Sequence, residues 1–372
     1  MPARIPDGMA GAAGKAFDSG VFLVESLMRY IRLVTPERFP LRSIQLLLPL
    51  VLLSVAVPVG FAQHGRLLVA QKGDTSLAIV DPIAGAVITS VDEGGITGHE
   101  VAGSPDGKLA VVPIYGNSGV GAPGTDGNNI VVIDLASHKI VNSIVFDHGV
   151  RPHCPVFGPK DGMLYVTTEL DRAITIIDPA TWKIVGSIPT GQQQSHMFTI
   201  SHDGLRGYTA NVGPGTVSVL DMKARTTLGV IPISGMTQRI TISNDDRWVF
   251  TADQTKPQMA VIDTATNTVK TWVPLSGRGY GAAVTKDGRY VLMPIPSKNV
   301  VDVVDLETMA VVHTVAVGDS PQEVLTRPGG GVAYVSCVGA NRVDEIDLST
   351  WKVARSIATG KGTDGLGWAA GH

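Results

Sequence analysis

Three histidines occupy equivalent places in this sequence, and their side chains could act together. His99, His153 and His196 lie at, or directly beside, a position seven residues before a recurring turn of Ser-x-Asp-Gly type. A neutral imidazole binds transition metals, and it also accepts, donates or transfers protons. The three residues therefore predict either a transition-metal site, with His99, His153 and His196 as ligands, or a site for a small molecule.

The corresponding position in the other copies also carries polar residues, and so do its neighbours. Packing within a β-protein does not require polar side chains there, so we expect them to line an opening. The predicted ligand-binding residues are His99, Glu100, Arg151, His153, His196, Gln238, Arg239, Tyr280, Gln322, Glu323 and Asp364. The aligned residue of the copy that contains His153 is Cys154 itself.

The sequence is compatible with three interpretations of this opening. The histidines, with carboxylates around them, suit a metal ion. Arg151, Arg239 and Arg278 would instead supply positive charge for a small anion. The third interpretation is a polar funnel that holds only water.

A repeat of about 42 residues must position these side chains. An aspartate that ends a Val-Ile-Asp segment, or a close variant of it, recurs at intervals of 53, 44, 43, 42, 42 and 42 residues. The seven aspartates are Asp81, Asp134, Asp178, Asp221, Asp263, Asp305 and Asp347. Each copy contains four β segments, so the sequence predicts an all-β protein, a seven-bladed β-propeller.

The repeat also explains most of the conspicuous acids. Each Val-Ile-Asp aspartate precedes a turn, as in Asp178-Pro-Ala-Thr181, where a carboxylate accepts hydrogen bonds from the turn amides. We therefore interpret the seven aspartates as turn caps. The chain enters at the second strand of a blade, near Arg66, and its last segment, from Asp364, aligns with innermost strands. The C-terminal strand is thus predicted to complete the N-terminal blade.

The pattern Tyr-Val-x-x, Val-x-Val-Ile-Asp-x-x-Thr, Ile-x-x-Gly and Ser-x-Asp-Gly resembles the YVTN-type β-propeller repeats, over residues 65–370. These repeats occur in exported YncE-like and surface-layer-like proteins. The resemblance implies the propeller fold. It implies less about function, because the family includes binding proteins, lactonases of the 6-phosphogluconolactonase type and cofactor-bearing enzymes.

The function predicted first is that of an exported module, without catalysis, that binds a small ligand or a protein partner at the axial mouth. One alternative is a lactonase-like hydrolase, with a mouth histidine as general base and Arg151 or Arg239 orienting an anion. The other is metal or redox-cofactor binding through the mouth histidines. The sequence contains no Gly-x-Ser-x-Gly motif, which would mark a serine nucleophile. It also contains no Cys-x-x-Cys-His motif, so we expect no c-type haem.

Two connections depart from the regular repeat. Residues 114–129 form a glycine-rich insertion between the second and third strands of one blade, predicted as a flexible loop that acts as a lid or a partner contact if it folds over the mouth. Residues 147–153 bring His148, Arg151 and His153 together at the mouth itself. We rank this second connection above the insertion for ligand contact.

The first 62 residues are predicted to lie outside the propeller, which spans residues 63–372. Residues 41–62 have the basic start, apolar run and small residues of a secretory signal peptide, or of an uncleaved anchor. Residues 1–40 form an unusual extension, and Met28 is an alternative start. The sequence thus predicts a periplasmic or extracellular protein that meets the membrane only through this segment.

The net charge argues against a nucleic-acid partner, and the cysteine content argues against a disulfide. The chain carries 30 basic and 33 acidic residues, a net charge of −3 that does not suit a nucleic-acid-binding protein. Cys154 and Cys337 are the only cysteines, and the repeat places them on different blades, so we expect no disulfide between them. We expect the propeller to be a monomer.

Overall fold

The structure is a computed structural model that describes residues 64–371. The predicted N-terminal extension, the signal segment and the alternative start at Met28 lie outside the described residues. The described chain forms seven four-stranded antiparallel sheets, which confirms the predicted seven-bladed β-propeller. Within residues 64–371, no helix has the length and apolar character needed to cross a membrane.

The strands follow one another regularly, and each blade takes four of them. Blade 1 contains β28, β1, β2 and β3, and blades 2 to 7 contain β4–β7, β8–β11, β12–β15, β16–β19, β20–β23 and β24–β27. The bounds in chain order are β1 Arg66–Gln71, β2 Ser76–Asp81, β3 Ala86–Asp92, β4 Ala102–Gly103, β5 Leu109–Gly116, β6 Asp126–Asp134, β7 Lys139–Val145, β8 Pro152–Phe157, β9 Leu164–Thr168, β10 Ala173–Asp178, β11 Lys183–Pro189, β12 Ser195–Ile200, β13 Arg206–Asn211, β14 Thr216–Asp221, β15 Thr226–Pro232, β16 Ile240–Ile242, β17 Trp248–Asp253, β18 Gln258–Asp263, β19 Thr268–Pro274, β20 Ala283–Val284, β21 Tyr290–Ile295, β22 Val300–Asp305, β23 Ala310–Ala316, β24 Pro321–Thr326, β25 Val332–Cys337, β26 Arg342–Asp347, β27 Lys352–Ala358 and β28 Thr363–Ala369. Two short 3-10 helices, Pro296–Lys298 and Val338–Ala340, lie between the second and third strands of blades 6 and 7.

The middle strands of each blade form the core because neighbouring blades cover both of their faces. All five residues of β9 are buried, whereas in the outermost strand β11 only one of seven is. The Val-Ile-Asp aspartates cap the turns that follow, as predicted. The Asp178 carboxylate accepts the Ala180 amide at 2.9 Å, and the Asp347 carboxylate accepts the Ser349 amide at 2.7 Å.

The two ends of the described chain meet in blade 1. The C-terminal strand β28 pairs antiparallel with the first strand β1, with Arg66 opposite Ala369 and Leu67 opposite Trp368. This confirms the predicted closure. Since β28 is the innermost strand of the blade, the pairing leaves β1 without an open edge at the joint.

The insertion differs from the prediction. Strands β5 and β6 extend into residues 114–129, so the connection between them comprises only residues 117–125. Gly116 allows this arrangement, because its φ of +116° is strained for other residues and a Cβ there would lie 2.1 Å from the Thr125 carbonyl oxygen. We call residues 117–125 the mouth loop.

Candidate functional site

The axial mouth is the end of the ring where the innermost strands begin and the second strands end. In blade 4, for example, Ser195 at the start of β12 lies opposite Asn211 at the end of β13. The predicted site residues sit at or just before innermost strands, so the ring brings side chains from all seven blades toward one place. The structure sorts most of them into two clusters.

The first group is the histidine cluster, which consists of His99, His153, His196 and Tyr115. The rings of His153 and His196 are stacked, with centroids 3.6 Å apart. His99 meets His153 edge-on at 5.6 Å. The Tyr115 ring lies 4.8, 5.1 and 5.7 Å from those of His99, His153 and His196. The three predicted histidines are therefore brought together around a tyrosine.

His153, rather than the aligned residue Cys154, belongs to this cluster because strand β8 is irregular. The pairing of β8 with β9 shifts between Pro152 and Pro155. Cys154 then turns into the core, with its Sγ 3.6 Å from the Phe198 carbonyl oxygen. Cys337 is also buried, and neither thiol forms a disulfide.

All three imidazoles are held neutral by their surroundings. Burial lowers the pKa of His99 to about 3, and burial also moves the pKa of His153 well below its usual value. Burial lowers the pKa of His196 as well, although Glu169 opposes the shift. His153 and His196 are each only 2% exposed, and among the described residues their Nδ1 atoms have no hydrogen-bond partner.

Glu169 and Arg151 connect the histidine cluster to the mouth loop. Tyr115 donates its hydroxyl hydrogen bond to Glu169 at 2.5 Å, and the His196 Nδ1 lies 3.6 Å from the same carboxylate oxygen. The Gly121 amide donates to Glu169 at 3.2 Å. Arg151 donates to Asp126 at 2.6 Å and to the carbonyl of a loop residue, Ala122, at 2.8 Å.

The mouth loop therefore folds against the site, which is the arrangement that the predicted role as a lid requires. The insertion and the 147–153 connection act as one unit, because Arg151 of the connection binds Asp126 and Ala122 of the insertion. His148, in contrast, is exposed and bonds Asp147 and Asp171 at 2.6 and 2.8 Å, so it takes no part in the cluster. Arg278 is exposed as well.

The second group, the arginine–carboxylate cluster, is centred on Arg239. Its guanidinium contacts Glu100 at 2.7 Å, Asp364 at 3.7 Å and Glu323, so that three other blades supply its counter-charges. The Lys72 ammonium lies 3.1 Å from Asp364. Burial raises the pKa of Glu100 to about 7, although Arg239 favours the ionised carboxylate.

Of the remaining predicted residues, Tyr280 lies at the edge of this second cluster. The Arg239 guanidinium lies 5.4 Å from the centroid of the Tyr280 ring, within the range of a cation–π contact. Gln238 precedes Arg239 in the chain, Gln322 precedes Glu323, and both amides are half-buried. We assign neither glutamine to a cluster.

The geometry of the histidines bears on the predicted metal site. No three His, Cys, Asp or Glu side chains within residues 64–371 are arranged to hold a metal ion. The stacking explains this for His153 and His196, because the lone pairs of parallel rings point side by side and do not converge on one ion about 2 Å away.

Sequence reasoning missed Tyr115, Asp126, Glu169 and Lys72. Tyr115 and Asp126 are hidden in the insertion. A signal did exist for the other two, because Lys72 and Glu169 each directly follow the second strand of a blade. A charged residue at the mouth end of a buried strand is the pattern that would have identified them.

The fold and part of the sequence match known proteins. Among curated proteins, no sequence matches this chain. Hydrazine synthase of Kuenenia stuttgartiensis has a similar structure, with 18% identity and a TM-score of 0.63 over 74% of this chain and 90% of that one. A functionally unknown protein from Desulfotomaculum acetoxidans is similar too, with 14% identity and a TM-score of 0.70 over 82% of this chain and 99% of that one.

These two likenesses concern the fold alone. The family described as the cytochrome D1 heme domain matches residues 124–366, which include blades 3 to 7 wholly and blades 1 and 2 in part. The matched stretch covers more than half of the sequence and includes His153, His196 and Arg239. The chain belongs to the cytochrome D1 heme domain family.

Proposed function

We propose that this protein is an exported binding module that holds a small molecule at its axial mouth, against the histidine cluster. One observation carries the proposal: the buried imidazole of His153 has an Nδ1 atom without a hydrogen-bond partner among the described residues, and the stacked His196 has only the Glu169 carboxylate, 3.6 Å from its Nδ1. Leaving a buried polar atom unpaired costs about 1–3 kcal/mol. A ligand that binds these nitrogens accounts for their retention.

Space beside the cluster supports the same function. A surface cavity of about 410 Å³ is lined by the mouth loop and by Arg151, Glu169 and Gln194. This volume is in the range of sites for small molecules. Glu169 joins the cavity to the histidine cluster, since it contacts both Tyr115 and the Gly121 amide of the loop.

Binding accounts for the site better than lactone hydrolysis does. The hydrolase alternative needs Arg151 or Arg239 to orient an anionic substrate. Arg151 is already paired with Asp126 and Glu169, and Arg239 with Glu100, Asp364 and Glu323. Neither guanidinium is free for a substrate carboxylate or phosphate.

The family's description raises haem as a ligand, and the residues present do not fit one. An iron-bound histidine needs a ring nitrogen open to a flat macrocycle. His153 and His196 are 2% exposed and stacked on each other. His99 is more open, but it lies close to the Asp364 carboxylate. The nearby cations, Lys72 and Arg239, are already paired with carboxylates, so the propionate groups of a haem would be repelled by negative charge there.

Two further observations support the exported, binding character. Residues 41–62 have the layout of a signal peptide. The resemblance to YVTN-type repeats links the fold to exported YncE-like proteins. Both rest on the sequence, and export, the periplasmic or extracellular location and the monomeric state stay predictions.

Thermal unfolding of the propeller with a panel of small molecules tests the proposal. The panel comprises C2–C6 amines, amino acids, carboxylates and sugars, each at 10 mM. At least one class should raise the melting temperature by about 2 °C or more, as expected for ~1 kcal/mol of binding. The shift should vanish in His196→Leu and persist in His202→Leu, which changes an exposed histidine in the turn after the same strand.

A panel without any stabilising compound would refute the proposed binding role. A shift that survives His196→Leu would place the ligand elsewhere on the ring and would equally refute the site.

A further inference from the structure

We infer that the ligand of the histidine cluster is a small organic cation with N–H donors, a protonated amine or an amidinium, and not an anion. The inference rests on the proposed function and gives the ligand its chemical class. Charge balance at the mouth, the unpartnered Nδ1 of His153 and the aromatic ring of Tyr115 beside it carry it independently of one another.

Carboxylates outnumber cations at the mouth. The groups in the ion pairs described above are the carboxylates of Glu100, Asp126, Glu169, Glu323 and Asp364 and the cations of Lys72, Arg151 and Arg239. Each cation lies within 3.1 Å of at least one carboxylate. An anion would therefore have to break an existing ion pair, whereas a cation reduces the surplus of negative charge.

The arginine–carboxylate cluster already holds an organic cation that belongs to the protein. The Arg239 guanidinium sits among three carboxylates from three other blades and over the ring of Tyr280. This arrangement of acids with an aromatic face is the general chemistry by which proteins bind alkylammonium and guanidinium groups. The histidine cluster offers the same elements in Glu169 and Tyr115, and its own cation, Arg151, contacts these two side chains and not the imidazole nitrogens.

The imidazoles complete a site for N–H donors. A neutral imidazole always has one ring nitrogen with a free lone pair, and the buried Nδ1 of His153, which has no hydrogen-bond partner among the described residues, can accept from a ligand. Glu169, 3.6 Å from the His196 Nδ1, supplies the counter-charge. The Tyr115 ring stands edge-on to both imidazoles and already has the Arg151 guanidinium 5.9 Å from its centroid.

The cavity beside the cluster has one more charged group on its wall. Arg172 lines it together with Arg151 and Glu169, and the Arg172 side chain belongs to an exposed residue. Solvent screens an exposed charge, so its repulsion of a cation is weak compared with the attraction of the buried Glu169 carboxylate.

Isothermal titration with matched probes tests the inference. The probes are butylamine, butanol and butyrate, and putrescine, butanediol and succinate, which differ within each set only in the polar end groups. We expect an amine to bind at least tenfold more tightly than its alcohol and its acid. Glu169→Gln should weaken amine binding about tenfold, while Glu307→Gln, at an exposed glutamate of blade 6, should leave it unchanged.

Tyr115→Phe keeps the aromatic face and serves as a second variant in case Glu169→Gln does not fold. It should retain selectivity for the amine over the acid.

If a carboxylate in this set or in the thermal panel binds more tightly than every amine, the binding function stands and the cationic class is overturned. If no amine binds at 10 mM while another class does, the inference falls in the same way. If nothing binds in either experiment, both proposals fail.

Discussion

At the scale of single residues, the mouth is a place where burial opposes charge. The imidazoles lose their charge to burial, and burial also opposes the ionisation of two carboxyl groups. Burial raises the pKa of Glu93 and of Glu100 to about 7 in each case, against a usual value of 4.5. Glu93 is fully buried, its one carboxylate oxygen accepts the Gly98 amide at 2.7 Å, and its other oxygen lacks a partner among the described residues.

Glu93 makes stability depend on pH, and Glu93→Gln should remove that dependence. A carboxyl whose pKa rises on folding binds more protons in the folded state, so its contribution is full below pH 4.5 and is lost as pH rises through 7. The difference in unfolding free energy, variant minus wild type, should therefore be about 3 kcal/mol larger at pH 8 than at pH 4.5. Urea denaturation of both proteins at the two pH values measures this.

Asp203→Asn, at an exposed turn of the opposite face, is the control for a general effect of removing an acid. A difference between the wild type and Glu93→Gln that is the same at both pH values would contradict the raised pKa.

The sequence predicted which residue types meet at the mouth, but not every partner. His99, His153, His196 and Arg239 could be identified because the repeat marks the position. The place of His153 depended on the shift in β8, for which the only clue was a proline at each end of it, since proline cannot donate a ladder hydrogen bond. Tyr115 and Glu169 join the histidines through contacts between blades, which a repeat of nearly identical units does not reveal.

At the scale of elements, the mouth loop and the 147–153 connection work together. The insertion is rich in glycine and has low β-propensity, which predicted a flexible loop. Tertiary contacts override that tendency, because Arg151 binds Asp126 and the Ala122 carbonyl while Glu169 accepts the Gly121 amide. The order of this loop therefore depends on side chains of another blade.

Arg151→Ala should loosen the mouth loop without unfolding the ring. The φ of Arg151 is +50°, and alanine also has a Cβ, so the backbone strain is unchanged and only the side-chain contacts are lost. Amide hydrogen exchange in residues 117–125 should accelerate about tenfold, equivalent to ~1.4 kcal/mol of local stability. Arg172→Ala, which removes an exposed arginine from the same cavity, is the matched control. Equal exchange in the two variants would show that Arg151 does not hold the loop.

At the scale of the whole propeller, the fold could be predicted almost completely, because seven copies of one unit and the place of the chain ends define a closed ring. Closure depends on β28. Leu366 and Ala369 of this strand are buried, and Leu366 packs with Leu67, Val69 and Tyr334 at the joint between blades 1 and 7. The Trp368 ring stacks on that of Tyr334 with centroids 6.2 Å apart. One strand thus links the N-terminal blade to its neighbour.

Removal of residues 363–372 should therefore destabilise the entire ring and not just one blade. It takes away buried apolar side chains worth ~1.5–3 kcal/mol each for the larger ones and a ladder of hydrogen bonds worth ~1 kcal/mol each, so the loss should exceed about 5 kcal/mol. It also exposes the edge of β1, which invites aggregation. Thermal unfolding should lose its single transition at the wild-type temperature, whereas removal of residues 371–372 should leave the transition in place. A synthetic peptide of residues 361–372 should restore it in part, since the gap has the shape of one strand. A truncated propeller that melts like the wild type would show that the ring closes through contacts between blades alone.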